Sequence, residues 1–227
     1  IEICYNLKEQ ILNVLKPESK HENEFYQQID NSFPFICKLL GKTQPNNYYH
    51  KIVLEYIEGE NLDDFIIRNK FVDFSTKIKI IIEILFAVYY AHSNGFYLRD
   101  LKPDNIIIDY QNNAFLVDFD NSKEINSPIN KENTGNIGYF IYTAPEQLYS
   151  NEYTYKVDLY SIGMIIHFIL TGQKYAFNYE DLSQIYENKE NISENKKFPK
   201  YQEIYDFIQD IYKDCFEISP DLRPNIA

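Results

Sequence analysis

The stretch from Val157 to Leu170 is apolar on nearly every side. A helix with no polar face has to be surrounded by protein, so this segment is expected as a helix inside a core, ended by Thr171-Gly172. Only a sizeable domain can enclose such a helix. The 227 residues suffice for one large domain or two small ones. With 44% hydrophobic and 25% charged residues, the chain has the balance of an ordinary globular protein. No stretch reaches the ~20 uncharged apolar residues of a membrane span. The nearest, Ile78 to Tyr90, is interrupted by Lys79 and Glu83.

The net charge of −12 argues against a nucleic-acid surface, which needs clustered Lys and Arg. It leaves room for basic protein partners. Cys4, Cys37 and Cys215 are far apart and lack CxxC spacing, so no disulfide framework or zinc site is expected. Reduced thiols point to a cytoplasmic setting. No signal-peptide pattern opens the chain, and it starts at Ile1 rather than Met, so a fragment is expected. The oligomeric state is not legible.

Ahead of the buried helix, the pattern changes along the chain. Glu22 to Ile29 reads as a helix with Phe25, Tyr26 and Ile29 on one face, broken by Phe33-Pro34-Phe35. Ile36 to Gly41 and Ile52 to Tyr56 read as strands, with a turn at Asn46-Asn47. Thr76 to His92 is expected as a long helix using Ile78, Ile81, Ile82, Leu85, Val88 and Tyr89, stopped by Asn94-Gly95. Ile106 to Asp109 and Phe115 to Val117 are short strands around Asn112-Asn113, and Ile204 to Cys215 is a last amphipathic helix. A strand-rich part thus precedes a helix-rich part, with the acidic Glu58-Gly59-Glu60 between them.

Five motifs follow in order. Leu98-Arg99-Asp100-Leu101-Lys102-Pro103-Asp104-Asn105 precedes the strand at Ile106. Val117-Asp118-Phe119-Asp120 comes about a dozen residues later, and then Ala144-Pro145-Glu146. Asp158 to Gly163 opens the buried helix, and Arg223 stands near the end. Taken singly, each is an ordinary turn, cap or solvated carboxylate. In this joint register they resemble the catalytic loop, D-F-G motif, A-P-E motif, central helix and late arginine of eukaryotic-type protein kinases. The resemblance covers essentially everything from Glu22 onward.

That resemblance implies an α+β, bilobal protein-kinase-like fold. Residues 1–57 would form a small antiparallel-sheet N-lobe, truncated and carrying one helix. Residues 58–61 would be the hinge, and 62–227 a large, mainly helical C-lobe, incomplete at its end. Phosphoryl transfer has a loose transition state, so positioning and charge neutralisation dominate. Asp100 would be the base, Lys102 would face the transferred phosphate, and Asn105 and Asp118 would ligate Mg²⁺ through hard oxygens. ATP would sit against Leu54, Glu55, Ile57 and Ile107, with Asn61 near the ribose and Leu62 under the adenine.

A Lys–Glu pair should hold the α- and β-phosphates. Glu22 is the expected acid, with Glu24 as the alternative. Lys8 is the expected lysine, because Tyr5-Asn6-Leu7-Lys8 is similar to V-A-I-K and Lys16 lies too close to Glu22 for a separate strand. Arg99 is expected to dock a phosphate on Thr134, with Ser122 and Ser127 as further acceptors. Glu146 and Arg223 are expected to pair, and Asp158 is expected to be structural.

The implied activity is transfer of the ATP γ-phosphate to Ser or Thr of a protein substrate, Lys102 being typical of that class. Four departures stand against it: no Gly-rich loop before Lys8, Leu98 for histidine, Asp120 for the D-F-G glycine, and Tyr139 where threonine is usual. The alternatives are a pseudokinase that binds nucleotide or scaffolds partners, and, more weakly, a kinase-fold enzyme acting on a small molecule.

Overall fold

Pro17 ends a strand and Ser19 caps a helix, so the chain passes from sheet to helix within a few residues. The Ser19 hydroxyl accepts the backbone N–H of Glu22 at 3.1 Å, satisfying one of the open donors of a helix start. In the computed structural model, residues 1–6, 8–43, 50–69, 71–125, 141–150, 153–173, 202–215, 217 and 219–225 are described. Strands β1 (Glu2–Asn6), β2 (Ile11–Pro17), β3 (Leu39–Lys42) and β4 (Lys51–Glu55) form an antiparallel sheet in the order β1-β2-β4-β3. Helix α1 (Lys20–Gln28) lies between β2 and β3 in the chain and buries Glu22, Phe25 and Tyr26.

The rest is mainly helical. It comprises β5 (Gly59–Asn61), α2 (Leu62–Arg68), α3 (Phe74–Ser93), β6 (Phe96–Tyr97), β7 (Ile106–Asp109), β8 (Ala114–Leu116) and β9 (Lys123–Glu124). Then come α4 (Pro145–Tyr149), α5 (Lys156–Thr171) and α6 (Gln202–Cys215). β5, β7 and β8 form one small sheet, and β6 with β9 another. Every residue of α5 from Val157 to Leu170 is buried, and α3 and α6 pack against it. Gly172 ends α5 at φ 72°, a left-handed conformation that glycine adopts without steric cost. The α+β architecture is the one expected.

The two charges that interrupt the apolar run of α3 have structural work. Lys79 Nζ donates to the carbonyls of Gln111 and Asn112 at 3.1 and 3.0 Å and to Asn113 Oδ1 at 2.6 Å. Glu83 Oε2 accepts the N–H of Ala114 at 2.8 Å. Together they fix the β7–β8 turn, where Asn112 takes a φ of 60°. Lys77, also buried, donates to the Leu170 carbonyl at 2.9 Å and so caps the end of α5.

Three expectations need correction. The core face of α3 is Ile80, Ile81, Ile84, Ala87, Val88 and Ala91, whereas Ile82 and Tyr89 are exposed. Large apolar residues extend more than halfway round this helix, so their spacing alone allows more than one register, and the two inward alanines carry little weight in such a count. The third strand starts at Leu39, because Phe35 and Cys37 bond to β8 instead: Leu116 N–H to the Phe35 carbonyl and Cys37 N–H to the Leu116 carbonyl, each at 2.9 Å. Leu62 is wholly buried in the helical part. The Asn46-Asn47 turn lies outside the described residues.

Arg223 and Glu146 meet in a two-toothed ion pair, Nη1 to Oε1 at 2.5 Å and Nη2 to Oε2 at 2.9 Å. Arg223 is 2% exposed and also donates to the carbonyls of Glu217 and Lys156 at 2.7 and 2.9 Å. Removing one partner strands a buried charge. Arg223→Ala is expected to cost ~3–5 kcal/mol, read as a fall in thermal midpoint; an unchanged midpoint would refute the pairing. At Gly59, a Cβ would lie 2.2 Å from the Ile108 carbonyl oxygen, across the β5–β7 ladder. Gly59→Ala is expected to destabilise by about 1–3 kcal/mol, checked by chemical denaturation.

Candidate functional site

Asp158, at the start of α5, is fully buried and organises the loop after β6. Its carboxylate accepts the N–H groups of Leu98 and Arg99 at 2.7 and 2.8 Å. His92 Nε2 lies 2.8 Å from the same group. Arg99 is held at φ 67°, a costly conformation for a residue with a side chain. Gln147 steadies it from the other side: its Nε2 donates to the Arg99 carbonyl at 3.1 Å, while its Oε1 accepts the N–H of Ala144 at 3.2 Å. The buried helix and the Ala144-Pro145-Glu146 segment thus both aim the next residue, Asp100.

Asp100 is surrounded by donors. Lys102 Nζ reaches its Oδ2 at 2.7 Å and Asn121 Nδ2 at 3.2 Å. Asn105 Nδ2 donates to the Asp100 carbonyl at 2.9 Å, which leaves the Asn105 amide oxygen for a cation. The short 3₁₀ turn Pro103–Asn105 and the β7–β8 excursion then bring the chain back to Asp118. Val117 N–H bonds to the Asn105 carbonyl at 3.0 Å, closing that return. Asp118 sits at φ 64°.

Across from this group stands Lys16, on β2. Its ammonium lies 3.1 Å from Glu22 Oε2, 2.6 Å from Asp118 Oδ1 and 2.9 Å from Asp120 Oδ2. Glu22 is fully buried and its Oε1 accepts the Phe119 N–H at 3.2 Å. Phe119 stacks on Phe25 of α1, ring centroids 4.2 Å apart. Burial opposes the charge on Lys16, but Glu22 and Asp118, with Asp120, outweigh it and hold the ammonium above its usual range. Burial pushes Glu22 up, and the Asp120 charge adds to that push. Burial also raises Asp120, but the Ser19 hydroxyl and Lys16 more than offset it, so its carboxyl falls below the ordinary range.

A cleft of about 280 Å³ opens beside Lys16 and Asp118. Val14, Cys37, Leu54, Ile57, Ile107 and Val117 supply apolar walls, and Glu55 and Tyr56 the strand-end backbone, with Asp104 and Asn105 at one side. Its mix of apolar walls and a few convergent polar groups is that of a small-ligand site. Burial pushes the Cys37 thiol up to about 12, so it stays protonated there. The donors suit a divalent cation of the Mg²⁺ type: Asn105 and Asp118 line the cleft, and oxygens of Glu22, Asp118 and Asp120 lie within 4.8 Å of one another.

Several expected positions move. Lys8 is exposed in the β1–β2 turn, its N–H bound by the Asn6 side chain at 3.0 Å, far from Glu22 in role. Lys16 takes the place expected of it, because Pro17, Glu18 and Ser19 are enough to link β2 to α1. The signal was present: Ser19 three residues before Glu22 is a helix-start pattern that frees Ile11–Pro17 for a strand. Asn6 therefore lies away from the cleft, and Val14 stands two residues before the lysine. Asn61 caps α2, accepting the Asp64 N–H at 2.8 Å, and is not among the cleft walls. Leu98 is buried in packing contacts.

Arg99 is only 7% exposed; Nε donates to the Asn121 carbonyl at 2.6 Å and Nη1 to Tyr153 Oη at 3.1 Å. Ser122 is fully buried and donates to the Phe119 carbonyl at 2.7 Å, so it does not present a hydroxyl for modification. Thr134, Ser127 and Tyr139 lie outside the described residues. Asn121, Gln147 and Tyr153 were not singled out from the sequence, since isolated polar residues carry no pattern. Among the described residues, no helix is long and apolar enough to cross a membrane.

Comparison with known proteins agrees with this geometry. The family described as "Protein kinase domain" matches residues 6–227. The serine/threonine-protein kinase PrkC of Bacillus subtilis (strain 168) is 28% identical over 174 residues, 73% of this chain and 27% of that protein. A probable serine/threonine-protein kinase PknB of Lactococcus lactis is 31% identical over 157 residues, 68% of this chain and 25% of its own. A probable KIN1 homolog of Enterocytozoon bieneusi is 31% identical over 195 residues, 85% and 31% respectively. The chain spans less than a third of the length of each of these relatives. Matched over nearly all its residues, the chain belongs to the protein kinase family.

Proposed function

We propose that the chain transfers the γ-phosphate of ATP, with Mg²⁺, to Ser or Thr hydroxyls of a protein substrate. The observation that carries this reading is the convergence of Glu22 and Asp118 on Lys16, with Lys16 and Asp118 lining a largely apolar cleft. Asp100, Lys102 and Asn105 are linked into one group beside it. Asp100 accepts the proton of the incoming hydroxyl and orients its oxygen. Lys102, two residues on, offsets charge on the transferred group. Lys16, fixed by Glu22, holds the α- and β-phosphates, and Asn105 and Asp118 hold the cation. When bound, Mg²⁺ supplies charge neutralisation for the triphosphate. Adenine lies between the walls at Val14, Leu54 and Ile107, bonding backbone groups of Glu55 and Ile57. The hinge between an N-lobe and a C-lobe, expected at 58–61, moves to Tyr56–Glu58, since Gly59–Asn61 already pair with β7.

The choice of Ser/Thr rests on Lys102 and on the names of the serine/threonine kinases quoted above. The contact of Asp120 with Lys16 favours a second reading, a pseudokinase that binds nucleotide without transfer. The two separate in one assay: labelled phosphate transfer from Mg-ATP to a generic basic protein, followed by phosphoamino-acid analysis. Transfer to Ser or Thr is expected. Asp100→Asn, Asp118→Asn and Lys16→Met should each lower it by about a hundredfold or more, whereas Lys8→Met should leave it within about twofold, as befits an exposed turn. Nucleotide binding without any transfer by the unaltered chain establishes the pseudokinase. Full activity in Lys16→Met overturns the lysine assignment.

A further inference from the structure

Asp120 is the one acid in this cluster that the general pattern of the family does not call for, and its place beside Lys16 has a stoichiometric consequence. A lysine ammonium has three N–H donors and no more. Here it faces three carboxylates, at 2.6, 2.9 and 3.1 Å. Glu22 is wholly buried, while the side chains of Asp118 and Asp120 are 36% and 38% exposed. All three carboxylates therefore crowd one ammonium, whose hydrogen bond goes to Asp118 Oδ1, and a phosphate oxygen arriving at Lys16 has to compete with them. With any residue lacking a carboxylate at position 120, the same ammonium would face only Glu22 and Asp118, one competitor fewer for phosphate.

We propose that Asp120 is a positioning residue that makes the engagement of nucleotide phosphates by Lys16 conditional on a divalent cation. The inference rests on the nucleotide-binding half of the reading above and does not require phosphoryl transfer. Once Asp118 serves as a cation ligand, it gives up its hydrogen bond from Lys16, and that N–H becomes available to phosphate while Asp120 and Glu22 stay paired with the ammonium. Without a cation, Asp118 and Asp120 both hold the ammonium, and both also repel the triphosphate. A chain with glycine or asparagine at this position loses that second condition and should bind the metal-free nucleotide more readily. The coupling lies in the contact and not in bulk acidity. Asp104, another acid on the cleft wall, has no ion pair with Lys16 among those of the described residues.

The test is calorimetric titration of ATP into the chain in excess EDTA and in excess Mg²⁺, for the unaltered protein and for Asp120→Gly, Asp120→Asn and Asp104→Asn. The unaltered chain is expected to bind ATP at least about tenfold more weakly in EDTA than in Mg²⁺. Both Asp120 variants should narrow that ratio by about tenfold, the worth of one charge-assisted hydrogen bond. Asp104→Asn should leave it as it was. Asp120→Asn keeps the shape of the side chain, and a thermal melt of each variant shows that it is folded. An equal ratio in all four proteins overturns the proposal, as does a ratio that shifts as much in Asp104→Asn as in the Asp120 variants. If the unaltered chain and every folded variant bind no ATP in either condition, the nucleotide reading itself falls.

Discussion

A single buried carboxylate sets the geometry on which the cleft depends. Asp158 has no solvent contact, and two of its ligands are consecutive backbone N–H groups, those of Leu98 and Arg99. Such a pair of charge-assisted bonds is strong because no water competes for it. It is strong enough to keep Arg99 at φ 67°, a conformation costing on the order of 1–3 kcal/mol. The strain is local and the restraint comes from α5, a helix enclosed along its whole length. Asp100 thus inherits its direction from an enclosed helix, which the catalytic role proposed for it would need, since small displacements weaken positioning steeply.

The other half of the cleft is set by α1. Glu22 binds both Lys16 and the Phe119 N–H, and Phe25 stacks on Phe119. Further along, Gln28 Nε2 donates to Glu124 Oε1 at 2.5 Å. One short helix therefore touches the 118–124 segment through a backbone bond, an aromatic stack and a side-chain bond, and reaches Lys16 of β2 through an ion pair. The bonds between Leu116 and the Phe35 and Cys37 backbone add a stitch between the first sheet's flank and β8. Displacing α1 would break several of these contacts together, so the positions of Lys16 and Asp118 are mechanically linked.

The parts legible in the sequence were those in which one residue type has one physical use. An all-round apolar run can only be interior, so α5 was placed within a residue at either end. The β7–β8 excursion and the Asp100, Asn105 and Asp118 positions followed from joint spacing. Lys8 was misread because a motif was matched by letters while the helix start at Ser19 was overlooked; a proline and a cap shorten the link from strand to helix to a few residues. The face of α3 was misread because buried Lys77 and Glu83 carry polar labels yet point inward to cap α5 and hold Ala114. Asn121 and Gln147 had no signal in a single sequence, because they act on Asp100 and Arg99, which lie 21 and 48 residues away.

The substitution at position 120 shows how a departure from pattern can be neutral in one respect and consequential in another. Glycine is needed where φ is positive, and the non-glycine residues with positive φ among those described are Gln10, Arg99, Asn112 and Asp118. Asp120 is not one of them, so its side chain carries no backbone cost in this arrangement. What changes is the neighbourhood of Lys16, which gains a third carboxylate, and of Glu22, whose proton affinity rises with burial and with the charge beside it. A third acid stabilises the ammonium but would compete with the phosphate proposed to bind there. On the proposed reading, the arrangement with all three carboxylates on Lys16 would be a resting state, and occupation of the cleft would redistribute those contacts before a phosphate binds.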